Sequence, residues 1–90
     1  MRFEWNARKA TANLPKHGVS FDEAASVFFD PLSATGDDPD HSRDDRRFVT
    51  FGMSSSGRLL VVAHAQHDDA IRIITARPAT RAERKLYEEG

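Results

Sequence analysis

The spacing of hydrophobic and polar residues predicts one strand and two helices in the N-terminal third. Polar and aromatic residues alternate in "MRFEW", which indicates a short strand. The period becomes helical over "ARKATANLPKH", with Asn6 as the N-cap and Gly18 as the left-handed residue that ends the helix. Ser20 and Glu23 form a capping box for a second helix, whose apolar residues follow at helical spacing up to Pro31.

The rest of the chain reads as strands and one last helix. After a strand fragment and a polar loop, residues 47–53, 58–66 and 71–77 have the period of two that is typical of strands, and Gly57 suits a hairpin turn. Thr80 and Glu83 form a second capping box, which predicts a C-terminal helix. The predicted fold class is α+β: one domain over residues 1–90, in the order β-α-α-β-β-β-β-α, with a small antiparallel meander and helices packed on it.

Composition narrows the class of protein. The chain has 90 residues, of which 39% are hydrophobic and 30% charged, as in a globular domain. It has no cysteine, so disulfides and thiolate metal sites are excluded. No apolar run approaches the roughly 18 residues of a membrane span, and "MRFEWNARK" lacks the apolar region of a signal peptide. We therefore expect a soluble, cytoplasmic protein with no membrane partner.

The charge of the chain is unevenly distributed. The formal net charge is −1 and the isoelectric point is near 6.4, which argues against a free-standing nucleic-acid-binding domain. Residues 1–45, however, carry five Lys and Arg against nine Asp and Glu, whereas residues 46–90 carry eight against five. Local fields steer a polyanion, so the C-terminal half is the better candidate for a surface that binds one. An ordinary dipolar surface is the alternative.

The loop after the predicted strand fragment is acidic. It lacks the glycine and the closing glutamate of a calcium loop, and no second cluster would complete a site. A solvated polar loop is therefore favoured over a metal site, and no metal or cofactor is predicted. The residues that raise the metal question are Asp37, Asp38, Asp40, His41, Asp44 and Asp45.

Three arginines and one histidine lie in or at the ends of the predicted meander strands: Arg47, His64, Arg72 and Arg77. Strand ends that are distant in sequence meet at one edge of a meander, so we expect these side chains to converge. A guanidinium group can donate two hydrogen bonds to the oxygens of one phosphate, and imidazole exchanges a proton near neutral pH. The alternative is that Arg72 and Arg77 pair with carboxylates across strands and that His64 is a hydrogen-bonded core residue.

The predicted last helix carries three further cations on one face. Arg81, Arg84 and Lys85 follow the i, i+3, i+4 spacing that brings side chains together on a helix. They place a basic helix beside the cations expected at the strand ends. A solvated charged face, with Glu83 and Glu88 as partners, explains the same pattern.

Four segments, in this order and spacing, resemble the BrnT family of bacterial toxins: "FEWN", "KHGVSFDEAASVFFDP", "RRFVTFGMSSSGRLLVV" and "IRIITARPATRAERKLYEE". The resemblance implies the toxin half of a type II toxin–antitoxin pair, with a RelE-like fold. It implies a ribonuclease that blocks translation, and a small DNA-binding antitoxin (BrnA-like) encoded beside it. DNA would then be contacted only through the antitoxin complex.

The resemblance also suggests roles for the singled-out residues. Metal-independent RNA cleavage needs a base for the 2′-hydroxyl, cations for the phosphorane and an acid for the leaving oxygen. His64 is the expected base or acid, with Arg72 and Arg77 on the scissile phosphate and Arg47 assisting. The residues expected to bind the flanking RNA are Arg81, Arg84 and Lys85. The expected surface or turn histidines are His17, His41 and His67.

The chain departs from the family pattern after the central strand. Relatives usually read T-E-R-G-D where this chain reads "AQHDD" (65–69), so Gln66 replaces a glutamate and His67 replaces an arginine. If the glutamate is catalytic in relatives, we expect this chain either to be slower or to use His64 alone. The departure supports a second hypothesis: a catalytically weak family member that acts mainly as an antitoxin-binding co-repressor.

Overall fold

A computed structural model of the chain describes residues 1–38 and 46–89. Its elements are β1 (Arg2–Trp5), α1 (Ala7–His17), α2 (Phe21–Ser26), a 3₁₀ helix (Val27–Phe29), β2 (Ala34–Asp37), β3 (Arg47–Met53), β4 (Leu59–His67), β5 (Ala70–Pro78) and α3 (Arg81–Glu89). Within the described ranges, no helix is long and apolar enough to cross a membrane. Most of the acidic loop, including Asp40, His41, Asp44 and Asp45, lies outside the described residues.

The five strands form one mixed sheet in the order β1-β5-β4-β3-β2. Strands β2 to β5 pair antiparallel with their neighbours in sequence, which confirms the predicted meander. Strand β1 instead pairs parallel with β5, so the expectation of a purely antiparallel sheet is wrong. The physical reason is that α1 and α2 carry the chain from β1 to β2. No hairpin therefore fixes the direction of β1.

The helix ends follow the sequence signals. The Asn6 side chain accepts hydrogen bonds from the first two backbone N–H groups after Ala7, at 2.9 and 3.1 Å, and Gly18 has φ of 70°. Ser20 Oγ accepts from the Glu23 backbone N–H at 3.0 Å, which caps α2. The Glu23 carboxylate does not complete the capping box, because it is bound to Arg58 across the molecule.

Helices α1 and α2 cover one face of the sheet and enclose the hydrophobic core with it. The buried core residues are Val19, Phe21, Ala24, Val27, Leu60, Val62, Ile73 and Ala76. Asn13 joins α1 to β5, since its side-chain amide donates to the backbone carbonyls of Val19 and Ala76, each at 2.9 Å. These satisfied bonds fix α1 against the sheet.

The other side of the sheet, which we call the open face, is not covered by α1 or α2. It presents alternate residues of the three central strands: Arg47, Val49, Phe51, Val61, Ala63, Ala65, Arg72, Thr75 and Arg77. A bulge interrupts the β4–β5 ladder, because Ala63 pairs with Thr75 whereas His64 pairs with Ile73. Ile74 is thus the extra residue, and the faces of β5 exchange there.

Candidate functional site

A row of four residues crosses the open face near the end of β4. Arg47 pairs with Ala65, Ala65 pairs with Arg72, and Arg72 pairs with Glu4 of β1. The two arginines therefore flank the small side chain of Ala65, with their backbones separated by about 9.6 Å, or two strand spacings. Arg47 is half-buried and makes no ion pair with another described residue.

Arg72 is not free on this face. Its Nε and Nη2 donate to Glu4 Oε2 at 3.0 and 2.8 Å, and His67 Nδ1 lies 2.9 Å from the same oxygen. The hydrogen bonds from Arg72, and then that from His67, lower the pKa of Glu4. Pairing of Arg72 with a carboxylate across strands was the predicted alternative, and it is confirmed.

Arg77 is also paired, at the junction between β5 and α3. Its Nη1 and Nη2 donate to Glu83 Oε1 and Oε2, both at 2.8 Å, in the forked geometry that carboxylates and phosphates share. These bonds lower the pKa of Glu83 to about 2. Glu83 also accepts from the Thr80 backbone N–H at 2.8 Å, so one carboxylate both caps α3 and neutralises Arg77.

His64 lies on the opposite face from the three arginines. It is only 6% exposed, and its ring packs between Phe28 and Phe48, at centroid distances of 4.8 and 5.7 Å. Its Nε2 is 2.7 Å from Thr50 Oγ1, and burial lowers its pKa to about 4. The predicted convergence of His64 with the arginines is therefore wrong, because strand alternation turns His64 towards the helices.

A groove of about 650 Å³ runs along the open face between β2 and α3. Its floor is apolar and is built from Val49, Phe51, Val61 and Ala63. Arg77 faces it, and so do carboxylates of three other residues: Asp37, Asp38 and Glu83. The groove itself is therefore mixed in charge, and Arg77 is the one cation among the described residues that line it.

Helix α3 is attached through side chains at its two ends. None of its residues is buried, and Leu86 is 65% exposed. Beside the Arg77–Glu83 pair, Tyr87 donates to Asp30 Oδ2 at 2.5 Å, a bond that lowers the pKa of Asp30. The predicted RNA-binding cations of α3 are exposed and make no ion pair within the described part of the chain: Arg81, Arg84 and Lys85.

The described residues contain no group of three or more His, Cys, Asp or Glu side chains arranged for a metal ion. What the open face offers instead is positive charge on guanidinium groups, held by carboxylates in defined orientations. Such groups bind anionic oxygens and stabilise charge that develops on them.

One known family accounts for nearly the whole chain. The sequence profile described as ribonuclease toxin, BrnT, of type II toxin–antitoxin system, matches residues 5–83. The chain belongs to this family. BrnT proteins are ribonuclease toxins, and a toxin of a type II system has a protein antitoxin as its partner.

The fold of this BrnT chain is similar to a solved structure. The 1.1 Å crystal structure of the Brucella abortus ribonuclease toxin, BrnT, superposes with a TM-score of 0.65. The two sequences are 20% identical, and the match covers 90% of this chain and 99% of the other. At this identity the similarity establishes the fold. No curated protein sequence matches the chain.

Sequence reasoning missed three residues of the BrnT open face. Glu4 and Glu83 were not expected to orient Arg72 and Arg77, although the T-x-x-E signal located Glu83 correctly as a helix cap. His67 was assigned to the surface, and its contact with Glu4 spans 63 positions of the sequence. Only the pairing of β1 with β5 brings Glu4 to Arg72 and His67, and no local pattern in the sequence predicts that pairing.

Proposed function

We propose that this BrnT protein is a metal-independent endoribonuclease that cleaves RNA and thereby inhibits translation. The observation that carries the proposal is that Arg47, Arg72 and Arg77 share one sheet face that α1 and α2 leave uncovered. Guanidinium groups supply the positive charge that a phosphorane needs without a metal ion. The meander with helices on one side is compatible with the RelE-like architecture that the sequence resemblance implies.

RNA would lie across the open face. Arg47 and Arg72 would hold one phosphate over Ala65, and Arg77 would hold another near α3. The exposed cations of α3 would follow the flanking backbone: Arg81, Arg84 and Lys85. His64 is left out of this surface because it is buried among aromatic rings on the other face.

The test is cleavage of a labelled single-stranded RNA in EDTA, with and without ribosomes. Arg47→Gln is the most informative variant, because Arg47 makes no ion pair with a described carboxylate. Its replacement therefore leaves no described carboxylate without its partner. We expect a fall in rate of about 100-fold or more, as for other groups that stabilise transition-state charge. Arg8→Gln makes the same change at an exposed position of α1, and this variant should cleave RNA at the parental rate.

Products and translation give two further readouts. Attack by the 2′-hydroxyl should leave 2′,3′-cyclic phosphate and 5′-hydroxyl ends, and a cell-free translation reaction should lose reporter synthesis as its mRNA is cut. Cleavage that requires a divalent cation would overturn metal independence. Equal activity in Arg47→Gln and the parental protein would remove the open face from the mechanism.

We propose a BrnA-like, DNA-binding antitoxin as the partner, acting in the cytoplasm where mRNA is translated. An acidic or apolar antitoxin segment would cover the open face, and the toxin would reach DNA only through that complex. Antitoxin binding should then block RNA binding, and free RNA should compete with the antitoxin. Simultaneous binding of both would contradict a shared surface.

A second function is supported by the carboxylates on the open face. Glu4 and Glu83 neutralise two of the three arginines, and Gln66 stands where the resemblance to the family implies a glutamate. Both features suit a catalytically weak member that acts mainly as a co-repressor. That function predicts no RNA cleavage, together with tighter operator binding by the toxin–antitoxin complex than by the antitoxin alone.

A further inference from the structure

A histidine, a glutamate and an arginine from three strands meet at one end of the open face. His67 ends β4, Glu4 lies in β1 and Arg72 lies in β5. The side chains of His67 and Arg72 are 55% and 53% exposed, whereas that of Glu4 is 28% exposed. The carboxylate is thus less accessible to solvent than the imidazole and the guanidinium that contact it.

The contact with Glu4 fixes which nitrogen of His67 faces outward. An ionised carboxylate only accepts hydrogen bonds, and Glu4 is kept ionised by Arg72. His67 Nδ1, at 2.9 Å from Glu4 Oε2, must therefore carry the proton of the neutral ring. The lone pair is left on Nε2, which is the arrangement of a histidine oriented by a carboxylate for proton transfer.

This imidazole lies beside the arginine row. His67 follows Ala65 by two positions on the same strand, so their Cα atoms are separated by about 6.6 Å. Ala65 is flanked by Arg47 and Arg72. A phosphate held over Ala65 by those guanidiniums would bring its ribose within reach of the His67 ring.

We propose that His67, held by Glu4, is the general base of RNA cleavage on the open face. The proposal rests on the ribonuclease function proposed above. Nε2 of His67 accepts the proton of the ribose 2′-hydroxyl, and the 2′ oxygen forms a bond to phosphorus. The bond from phosphorus to the 5′ oxygen breaks, that oxygen takes a proton from water, and the hydroxide left behind takes the proton from His67 Nε2. The products are a 2′,3′-cyclic phosphate and a 5′-hydroxyl, with Glu4 balancing the charge of the imidazolium.

The test is single-turnover cleavage at saturating protein with His67→Ala, and His17→Ala as the matched control on α1. We expect His67→Ala to lower the rate constant by about 10²- to 10⁴-fold, the usual contribution of a general base. Binding of an uncleavable 2′-deoxy substrate should change far less. Added imidazole should restore part of the rate in His67→Ala and leave the His17→Ala rate unchanged.

Glu4 is a positioning residue in this mechanism. The variant Glu4→Gln separates its effect on His67 from its effect on Arg72. Gln retains an oxygen that accepts from His67 but removes the negative charge beside Arg72. The rate at saturation should therefore fall while RNA binds more tightly, because Arg72 gains freedom to bind phosphate. If Glu4 had only a structural role, Glu4→Gln would lower both the rate at saturation and the affinity for RNA, or neither of them.

The outcomes distinguish this inference from the function on which it rests. Cleavage that needs Arg47 but proceeds at the parental rate in His67→Ala would overturn the inference alone. A rate lost in His67→Ala and not restored by imidazole would also count against it. Absence of cleavage by the parental protein, with ribosomes or without, would overturn both.

Discussion

Arg72 and Arg77 lie on the same face of the sheet although five positions separate them along one strand. An odd separation places two strand residues on opposite faces when the ladder is regular. The bulge at Ile74 supplies the extra residue that reverses the alternation, so that Arg72 is level with Ala65 and Arg77 with Val61. One irregular residue therefore decides whether this protein has a cationic sheet face.

The carboxylate on Arg77 leads to the first prediction. Glu83→Gln retains an oxygen that can cap α3 but removes the charge that neutralises Arg77. Single-stranded RNA should bind more tightly, and the slope of log K against log salt should steepen by about 0.7, the value for one added phosphate contact. Fluorescence anisotropy over a salt series measures both quantities.

Glu88→Gln is the matched control for Glu83→Gln. It removes the same charge from α3, and Glu88 makes no ion pair with a described residue. Glu88→Gln should change only the long-range attraction between the protein and RNA. The slope of log K against log salt should therefore steepen by less than the increment for one phosphate contact. Identical slopes in the two variants would mean that Arg77 does not contact phosphate.

The second prediction concerns the buried imidazole. The unfolded chain protonates His64 near pH 6.5, whereas the folded pKa is about 4. Below 6.5 the unfolded state binds the additional proton, so the free energy of unfolding contributed by His64 falls as pH falls from 6.5 to 4. His64→Phe should remove this dependence. The melting temperature of His64→Phe, relative to that of the parental protein, should therefore rise as pH falls from 6.5 to 4. A constant difference would show that His64 is not buried in the neutral form.

The third prediction concerns a polar cluster that fixes the β3–β4 hairpin to α2. Glu23 accepts from Arg58 Nη2 at 2.6 Å, from Ser54 Oγ at 2.7 Å and from Ser56 Oγ, and the Arg58 bond is the main cause of a pKa lowered to about 2. Because this folded pKa is depressed, the stabilisation is present above pH 4.5 and is lost as pH falls towards 2.

Replacing Glu23 with Gln should therefore cost about 1–3 kcal/mol near neutral pH, the range for a hydrogen-bonded charged group. The difference from the parental protein should shrink below pH 4.5, and thermal melts over a pH series measure it. Asp22→Asn removes a neighbouring exposed carboxylate and should leave stability within about 0.5 kcal/mol. A pH-independent loss would contradict the ionised cluster.

The fourth prediction tests the packing of β3 against the 3₁₀ helix. A Cβ atom at Gly52 would lie 2.7 Å from Val27 Cγ1 and 3.1 Å from the Val27 carbonyl oxygen. Gly52→Ala should therefore destabilise the fold by about 1–3 kcal/mol through overpacking. Gly36→Ala, on neighbouring β2, would meet no atom within 4 Å and serves as the control. Equal melting temperatures would show that the 3₁₀ helix moves away without cost.

Sequence patterns located the elements because their signals are local. The caps at Asn6 and Ser20 and the turn at Gly57 each depend on residues a few positions apart. Patterns also singled out Arg47, Arg72 and Arg77 as candidates for phosphate binding, but did not predict the face on which each lies. The alternation of side chains along β4 places His64 on the face that the helices cover. The expectation that His64 meets the arginines at one edge of the sheet did not take this alternation into account.

The remaining features depend on long-range contacts. The bulge at Ile74 has no distinguishing residue type, so the shared face of Arg72 and Arg77 could not be read from spacing. The contact of Glu4 with His67 needs the first and last strands to be neighbours. No turn joins those strands, and the sequence therefore carries no short signal for their parallel register.

The position of β5 between β1 and β4 has a consequence for synthesis of the toxin. Strand β5 is the second-last element of the chain, yet it completes the sheet on both of its sides. Contacts that distant in sequence form slowly, because the chain must close a long loop to make them. A ribosome making this protein therefore carries an incomplete sheet until β5 has been synthesised, and the open face, to which β5 contributes Arg72 and Arg77, cannot assemble on the nascent chain before then.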